Sequence, residues 1–342
     1  MRQATIKDIA RELSLSVATV SRALRNTHDV SRTTRDRVLA MAAQLKYRPN
    51  PYAVGLAGGK SGNIGVILPF VNNYYFSTVI TGIQEVAYAN AFNVILFITN
   101  DSPEREIQIL KGINGLHLDG LLISVSSDSS SISIFNDLMD DGTPVVFFDR
   151  VVTGVNASKV MQDDYQGACE AVAHLIAQGY QNIAHIAGYA HLEFTEQRLK
   201  GYLDTLNRHG RSANYDWVIH SGFSQDDGFR DMERLLAFSR VPDAVFAVND
   251  RKAIGAMLAL KKHGIAIGSE IGVIGFTDDP TAQIISPSLS TVAEPAREIG
   301  KQACDLLINH ISRESFQPRD LVLSGKLIVR DSTLRRSRLS AQ

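Results

Sequence analysis

Two hydrophobic patterns follow one another along the chain. Near the start, Ile6, Ile9, Ala10 and Leu13 recur at i, i+3, i+4 and i+7, one stripe of a helix. Thr5 and Asp8 stand three residues apart at its beginning, the spacing of a capping box, and the acid also suits the helix dipole. Ser14-Leu15-Ser16 interrupts the stripe, and Ser16 is placed to cap a second short helix from Val17 to about Arg25. Its spacing turns Val17, Val20 and Leu24 inward and leaves Ala18, Thr19, Ser21, Arg22 and Arg25 outward. Ser31 caps a third helix with the stripe Val38, Leu39, Ala42 and Leu45, ending before Tyr47-Arg48-Pro49. Two short helices about a three-residue turn, buttressed by a third, predict a helix-turn-helix module over residues 1–49.

From residue 62 the pattern changes to short continuous apolar runs: Ile64–Leu68, Val94–Ile98, Leu121–Val125, Val145–Phe148, Ile183–Ala187, Ala244–Val248 and Ile271–Phe276. Runs of this length read as buried parallel strands. Helix-length segments such as Ser77–Asn90 and Gln166–Gln178 separate them, which predicts a doubly wound α/β body. The runs fall into two comparable groups on either side of residue 161. We therefore expect two subdomains with a cleft between them, about 62–161 with 291–322 and 162–290 with 323–333.

Charge sharpens the division. Residues 1–60 hold eight Arg and three Lys against three Asp and one Glu, a net of +7, while the whole chain of 342 residues carries −1. A basic module joined to an acidic body suggests a polyanionic partner for the module. No run of about 18 apolar residues marks a membrane span. The start MRQATIKDIA lacks the apolar core of a secretory signal. Cys169 and Cys304, far apart and without metal or redox spacing, fit a reducing cytoplasm.

The stretch LAGGKSGNIGVILPF, residues 56–70, invites a phosphate-loop reading through Gly59-Lys60-Ser61. That loop needs a further Gly five places before the Gly of Gly-Lys-Ser, and position 54 is Val. The strand-like run also follows the glycines instead of preceding them. Residues 50–61 read instead as a joint between two different things.

In the basic module, small residues at the start of the second helix allow close approach to the major groove, and Arg22 is able to fork onto a guanine edge. Thr19, Ser21 and helix amides suit phosphates, as do Arg35 and Arg37 farther off. In the body, ligands of such sheets sit beyond the carboxyl ends of the strands. Those loops hold Asn73, Tyr75 and Phe76 after the first run, Asp149-Arg150 after the fourth, Arg198 after the fifth, Asn249-Asp250 after AVFAV and Thr277-Asp278 after IGVIGF. Bidentate polar groups with aromatic faces are what a polyol requires. Taken singly, the Asn, Asp and Thr residues also read as helix caps.

ATIKDIARELSLSVATVSRALRN followed by YRPNPYAVGLAGGKSGNIGVILP resembles the lactose/galactose-repressor (LacI/GalR) family of bacterial transcription regulators, and the similarity continues along nearly the whole chain. The resemblance implies a helix-turn-helix domain and a periplasmic-binding-protein-like α/β body. Val17, Ala18 and Arg22 become the main base-reading positions, with Thr5, Ser16, Thr19, Ser21 and Asn26 also facing DNA. Asn50 to Gly58 becomes a hinge helix, with Asn50, Ala53 and Leu56 at the minor groove. There Leu56 wedges open a central base step, an established way to kink DNA. Val54-Gly55 departs from the family, where a basic or polar pair is commoner. A glycine inside a helix costs about 1 kcal/mol relative to Ala, so a loose hinge off DNA is expected.

The resemblance also implies effector contacts. NYYF matches an Asn-Pro-Phe-Phe segment, FFDR a strand-end Asp, RLKGY an Arg-x-x-Gly-Tyr and VNDRKAIGAM an Asn-Asp helix start. These place Asn73, Tyr75, Phe76, Ser124, Asp149, Arg198 and Asn249 around a small carbohydrate-like effector, with Phe223 as a ring wall. Two departures stand out: Gly275-Phe276-Thr277 displaces the family's acid to Asp278, and TVAEP puts Glu294 where Gln is common.

The partners implied are double-stranded DNA at a near-palindromic site, a sugar or sugar derivative, and a second copy of the chain. The end of the chain has only Leu334 and Leu339 after the last strand, too few for a tail coiled coil, so a dimer is expected and not a tetramer. An enzyme is disfavoured. The nine histidines show no HExxH spacing and no Gly-x-Ser-x-Gly elbow occurs, so no catalytic residue, metal or cofactor is assigned. The Ser-rich stretch 124–133 reads as a solvated loop, and His174, His185 and His191 as structural or surface residues. A secreted sugar-binding protein shares the expected body but has no use for the basic module.

Overall fold

A computed structural model describes residues 4–24, 29–47, 61–313 and 317–335. The chain forms two compact units, residues 1–62 and 63–342. Asn26 and the hinge positions Asn50, Ala53 and Leu56 lie outside the described residues.

The first unit is built from α1 (Ile6–Leu13), α2 (Val17–Leu24) and α3 (Arg32–Gln44). The Asp8 carboxylate accepts from the amide (2.8 Å) and hydroxyl (2.7 Å) of Thr5. Ser16 Oγ accepts from the Thr19 amide at 3.0 Å and Ser31 Oγ from the Thr34 amide at 3.2 Å, so each helix start is satisfied by a side chain. Ile9, Ala10, Val20, Ala23, Val38 and Ala42 make the small core. Two expected core positions fall outside it. Val17 and Leu39 are exposed, each a step of about 100° from the true inward stripe.

The second unit contains two six-stranded sheets. The first consists of β1 (Asn63–Leu68), β2 (Asn93–Ile98), β3 (Gly120–Ile123), β4 (Val145–Phe148), β5 (Ser158–Gln162) and β11 (Asp320–Leu323) in the order β11-β5-β4-β3-β1-β2. It packs against α4 (Tyr74–Ala89), α5 (Pro103–Gly112), α6 (Ile132–Asp140) and α12 (Ala296–Ser312). The second comprises β6 (Ile183–Ala187), β7 (Val218–His220), β8 (Ala244–Ala247), β9 (Gly272–Thr277), β10 (Ser290–Ala293) and β12 (Lys326–Ile328) in the order β12-β10-β9-β8-β6-β7. Its helices are α7 (Asp164–Ala177), α8 (Glu193–Arg208), α9 (Gln225–Leu236), α10 (Asp250–Lys262) and the short α11 (Thr281–Ile284). Every pairing is parallel except β10 with β12.

The chain passes between the sheets after β5, after β10 and after β11. Ser290–Ala293 pairs with β9 and β12, so the return falls at Glu294-Pro295, slightly beyond the boundary expected at 291. β2 lies at a sheet edge and leaves Ile95 and Leu96 more than a third exposed, unlike the other long apolar runs. In the first subdomain α4 and α12 approach so closely that a Cβ at Gly82 would run into the Arg297 carbonyl, and one at Gly300 into that of Val79. The Ser-rich stretch is not the solvated loop its composition suggested. Ser124, Ser126 and Ser131 are buried, and the buried Glu106 accepts from the Ser126 amide and from the hydroxyls of Ser129 and Ser131.

Candidate functional site

In the first unit, α2 buries Val20 and Ala23 and turns Val17, Ala18 and Arg22 outward, with Thr19 and Ser21 half-buried. Val17 is 42% exposed, unusual for a valine in a helix of eight residues, and this exposure leaves its methyls available to a partner. Ser16, and Thr5 through Asp8, are engaged in capping.

The second unit has a cavity of about 110 Å³ between the two subdomains, beyond the carboxyl ends of the strands. From the first subdomain come Phe70, Asn73, Tyr74, Tyr75, Phe76, Asp149 and Arg150. From the second come Phe194, Arg198, Phe223, Asn249, Asp250, Arg251, Thr277 and Asp279, with Glu294 at the crossing. Asn73 and Asn249 both line the cavity and cap helices, Asn73 Oδ1 accepting from Phe76 N and Asn249 Oδ1 from Lys252 N, each at 2.8 Å. Capping and lining are therefore one placement: a helix that starts at the cleft brings its cap there.

Arg198 holds the floor. It is nearly fully buried, with its guanidinium carbon 3.6 Å from the centre of the Phe276 ring. Nε donates to Asp164 at 2.8 Å, Nη2 reaches Asp164 at 2.7 Å and Glu294 at 2.8 Å, and Nη1 donates to the Val248 carbonyl. Burial raises the carboxyl of Asp164 to about 7, Arg198 drawing it down and Glu294 pushing it up. Burial likewise raises Asp149 and Glu294 above the usual carboxylate range. Asp149 is hydrogen-bonded to Tyr75 and accepts from Ser124 Oγ at 3.2 Å, and its backbone is left-handed at φ 60°. Asp tolerates that region better than most residues, and strand-end residues in such conformations are common where a loop must aim a side chain.

Most of the sequence-predicted effector positions come together here. Ser124 stands behind Asp149, bonded to it, and does not line the cavity. Asp278 is turned away: its carboxylate accepts from Arg330 at 2.7 Å, and Asp279 lines the cavity instead. Left-handed backbone at Thr277 and Asp278 swivels the loop by one residue. The apolar wall of Phe194, and Asp164 behind Arg198, were missed. Phe194 precedes Arg198 by four residues on one helix, so the spacing itself carried that signal. The histidines lie elsewhere. His185 is buried and stacked on Phe246 at 4.6 Å, its pKa depressed to about 3 by burial. His174 meets Thr333 at 2.8 Å and His191 pairs with Asp128 at 3.0 Å. Among the described residues no group of His, Cys, Asp and Glu is arranged to hold a metal, and no helix is long and apolar enough to cross a membrane.

Comparison with known proteins agrees with this two-part construction. Residues 5–50 match the family of bacterial regulatory proteins of the lacI type, and residues 172–333 match the periplasmic binding protein-like domain. The chain is 32% identical over 335 residues to the "Probable HTH-type transcriptional repressor ExuR" of Bacillus subtilis, covering 97% of this chain and 98% of that one. The lac repressor dimer bound to operator and an anti-inducer superimposes with a TM-score of 0.85 at 26% identity, over 97% of this chain and all of that chain. The transcriptional regulator CelR in complex with cellobiose does so with a TM-score of 0.75 at 26% identity, over 96% of this chain and all of that chain.

Proposed function

Because the chain belongs to the LacI family of bacterial regulatory proteins, DNA-binding transcription regulators and not enzymes, we propose that it is an effector-controlled repressor acting as a dimer in the cytoplasm. Its effector is a small carbohydrate-like polyol in the cleft between the two subdomains. The observation that carries the reading is the pairing of aromatic rings with the fixed polar groups Asp149, Arg198 and Asn249 in one cavity. Rings cover the apolar face of a sugar, and fixed acceptors and donors meet its hydroxyls.

Support for the DNA side comes from α2. Val17, Ala18 and Arg22 are its outward residues, Thr19 and Ser21 lie within it half-buried, and Thr5 and Ser16 stand at the starts of α1 and α2. Asn26, Asn50, Ala53 and Leu56 complete the DNA-facing set by resemblance. Self-association is supported by Tyr88 at the end of α4, 88% exposed, and by Ile95 and Leu96 on the edge strand β2, since exposed apolar surface of this kind favours a partner. Each ligand shifts the other's affinity only through its preference for one arrangement of the body, passed on through residues 50–58.

Selection of binding sites from a random DNA pool tests the reading. It should yield near-palindromic sites with a deformable central CG step; asymmetric sites would remove the symmetric dimer.

A further inference from the structure

A second cavity, of about 440 Å³, lies against the first and shares Asp149, Arg150 and Phe194 with it. One wall is the serine loop, through Ser126, Ser127 and Ser129; the other is the first turn of α8, through Glu193, Glu196 and Gln197. Both subdomains therefore line it, as they line the inner cavity.

The serine loop is built to keep its shape. Glu106, buried below it, accepts from the Ser126 amide at 2.6 Å and from the hydroxyls of Ser129 (2.5 Å) and Ser131 (2.9 Å). Asp101 accepts from the Ser127 amide at 2.8 Å and its hydroxyl at 2.7 Å, and Arg150 Nη1 donates to Asp101 at 2.7 Å and to Ser127 Oγ at 3.0 Å. A fully buried carboxylate with three donors is a costly way to hold a loop that only meets water. Fixing it in advance lowers the ordering cost of binding something there. Each serine that donates its proton to these acids keeps lone pairs able to accept from a ligand hydroxyl.

Arg150 stands at the waist between the chambers, its guanidinium carbon 6.0 Å from the Phe194 ring centre and 5.8 Å from that of Phe223. The inner chamber has ring walls and suits one sugar ring. The outer one sets hydroxyls, an amide, carboxylates and the His191 imidazole beside aliphatic side chains such as Val152 and Leu192, and suits a second, hydroxyl-rich and uncharged unit. We propose that the outer chamber is a second subsite and that the effector is a two-unit glycoside spanning both, with its linkage beside Arg150. The inference rests on the polyol reading of the inner cavity. It also gives the effector a hold on both subdomains over a longer span than one ring provides, and so a larger difference between open and closed arrangements.

Calorimetric titration of the full-length protein with cellobiose, maltose, lactose and melibiose, each beside glucose and galactose, tests it. At least one disaccharide should bind ten-fold or more tightly than either monosaccharide. Gln197→Trp, a change on a half-exposed helix face that fills the outer chamber, should remove that advantage and leave monosaccharide affinity within two-fold. Thermal melting of the variant verifies that it folds. A monosaccharide that binds as tightly as every disaccharide, or a disaccharide advantage that survives Gln197→Trp, overturns the second subsite while the polyol reading stands. Absence of binding by all six sugars overturns both.

Discussion

Replacing Arg198 by Lys tests the cleft at its most connected point. The guanidinium bonds two carboxylates and the Val248 carbonyl while lying on Phe276. A lysine keeps the charge but has one nitrogen on a flexible stem, and it cannot reproduce a planar fork. The buried Val248 carbonyl then loses its side-chain donor, at about 1–3 kcal/mol if nothing replaces it, and one carboxylate loses a charge-assisted bond worth about 1.5–3 kcal/mol. The two together come to about 2.5–6 kcal/mol, a large part of the roughly 5–15 kcal/mol typical of whole-domain stability. The variant should therefore unfold at clearly lower urea and lose effector response. Operator binding without effector should stay nearly intact while the fold holds. The connectivity of Arg198 limits that to temperatures well below the lowered midpoint. Urea melts, operator binding by fluorescence anisotropy and ligand titration at 10 °C separate the two effects. A stability loss under about 1 kcal/mol together with an unchanged effector response would refute Arg198 as the clamp of this cleft.

Three further outcomes are expected. Asp164 has its folded-state pKa raised to about 7 from an ordinary 3.8, so the fold binds its proton more tightly than the unfolded chain, and the stability from this proton is present at low pH and lost as pH rises from about 4 to about 7. Asp164→Asn should therefore gain stability relative to the parent between pH 5 and pH 8 in urea melts; a constant difference would contradict the shift. Gly82→Ala gains about 1 kcal/mol in helix propensity, but its Cβ meets the backbone of α12, which cannot swing aside as a side chain would. Overpacking of about 1–3 kcal/mol should win, and a more stable variant in the same melts would show the helices can part. Arg22→Ala should weaken operator binding by about 1–3 kcal/mol and relax the preference at one base pair per half-site; uniform weakening across sequences would make Arg22 a phosphate contact.

Much of this architecture was legible because it rests on long-range apolar order. The seven apolar runs became strands, since four to six mostly apolar residues between helical segments suit burial on both faces of a parallel sheet. Short or half-exposed strands were not legible: β7 and β12 have three residues each, and β11 alternates exposed with partly buried positions. Val17 was misplaced because two turns of helix allow two nearly equivalent stripes, and only the packing of α3 on Val20 and Ala23 chooses between them. At the cleft, strand-end positions predicted Asp149, Arg198 and Asn249, yet the turn at Thr277 and Asp278 depends on left-handed backbone that side-chain identity does not announce. The partners of Arg198 were hidden for another reason. Asp164 and Glu294 lie 34 and 96 positions away in sequence, just past the sheet crossings that follow β5 and β10, and only the folded body brings them to one guanidinium.

The proposed polyol effector must control DNA affinity from the cleft. The most direct measurement is operator binding by fluorescence anisotropy, with a selected near-palindromic duplex, titrated against the tightest sugar found by calorimetry. Saturating sugar should change operator affinity at least five-fold in the parent and less than two-fold in Arg198→Lys. By reciprocity, operator must change sugar affinity by the same factor. A sugar that binds the cleft tightly and leaves operator affinity unchanged in the parent would rule out effector control through this cleft.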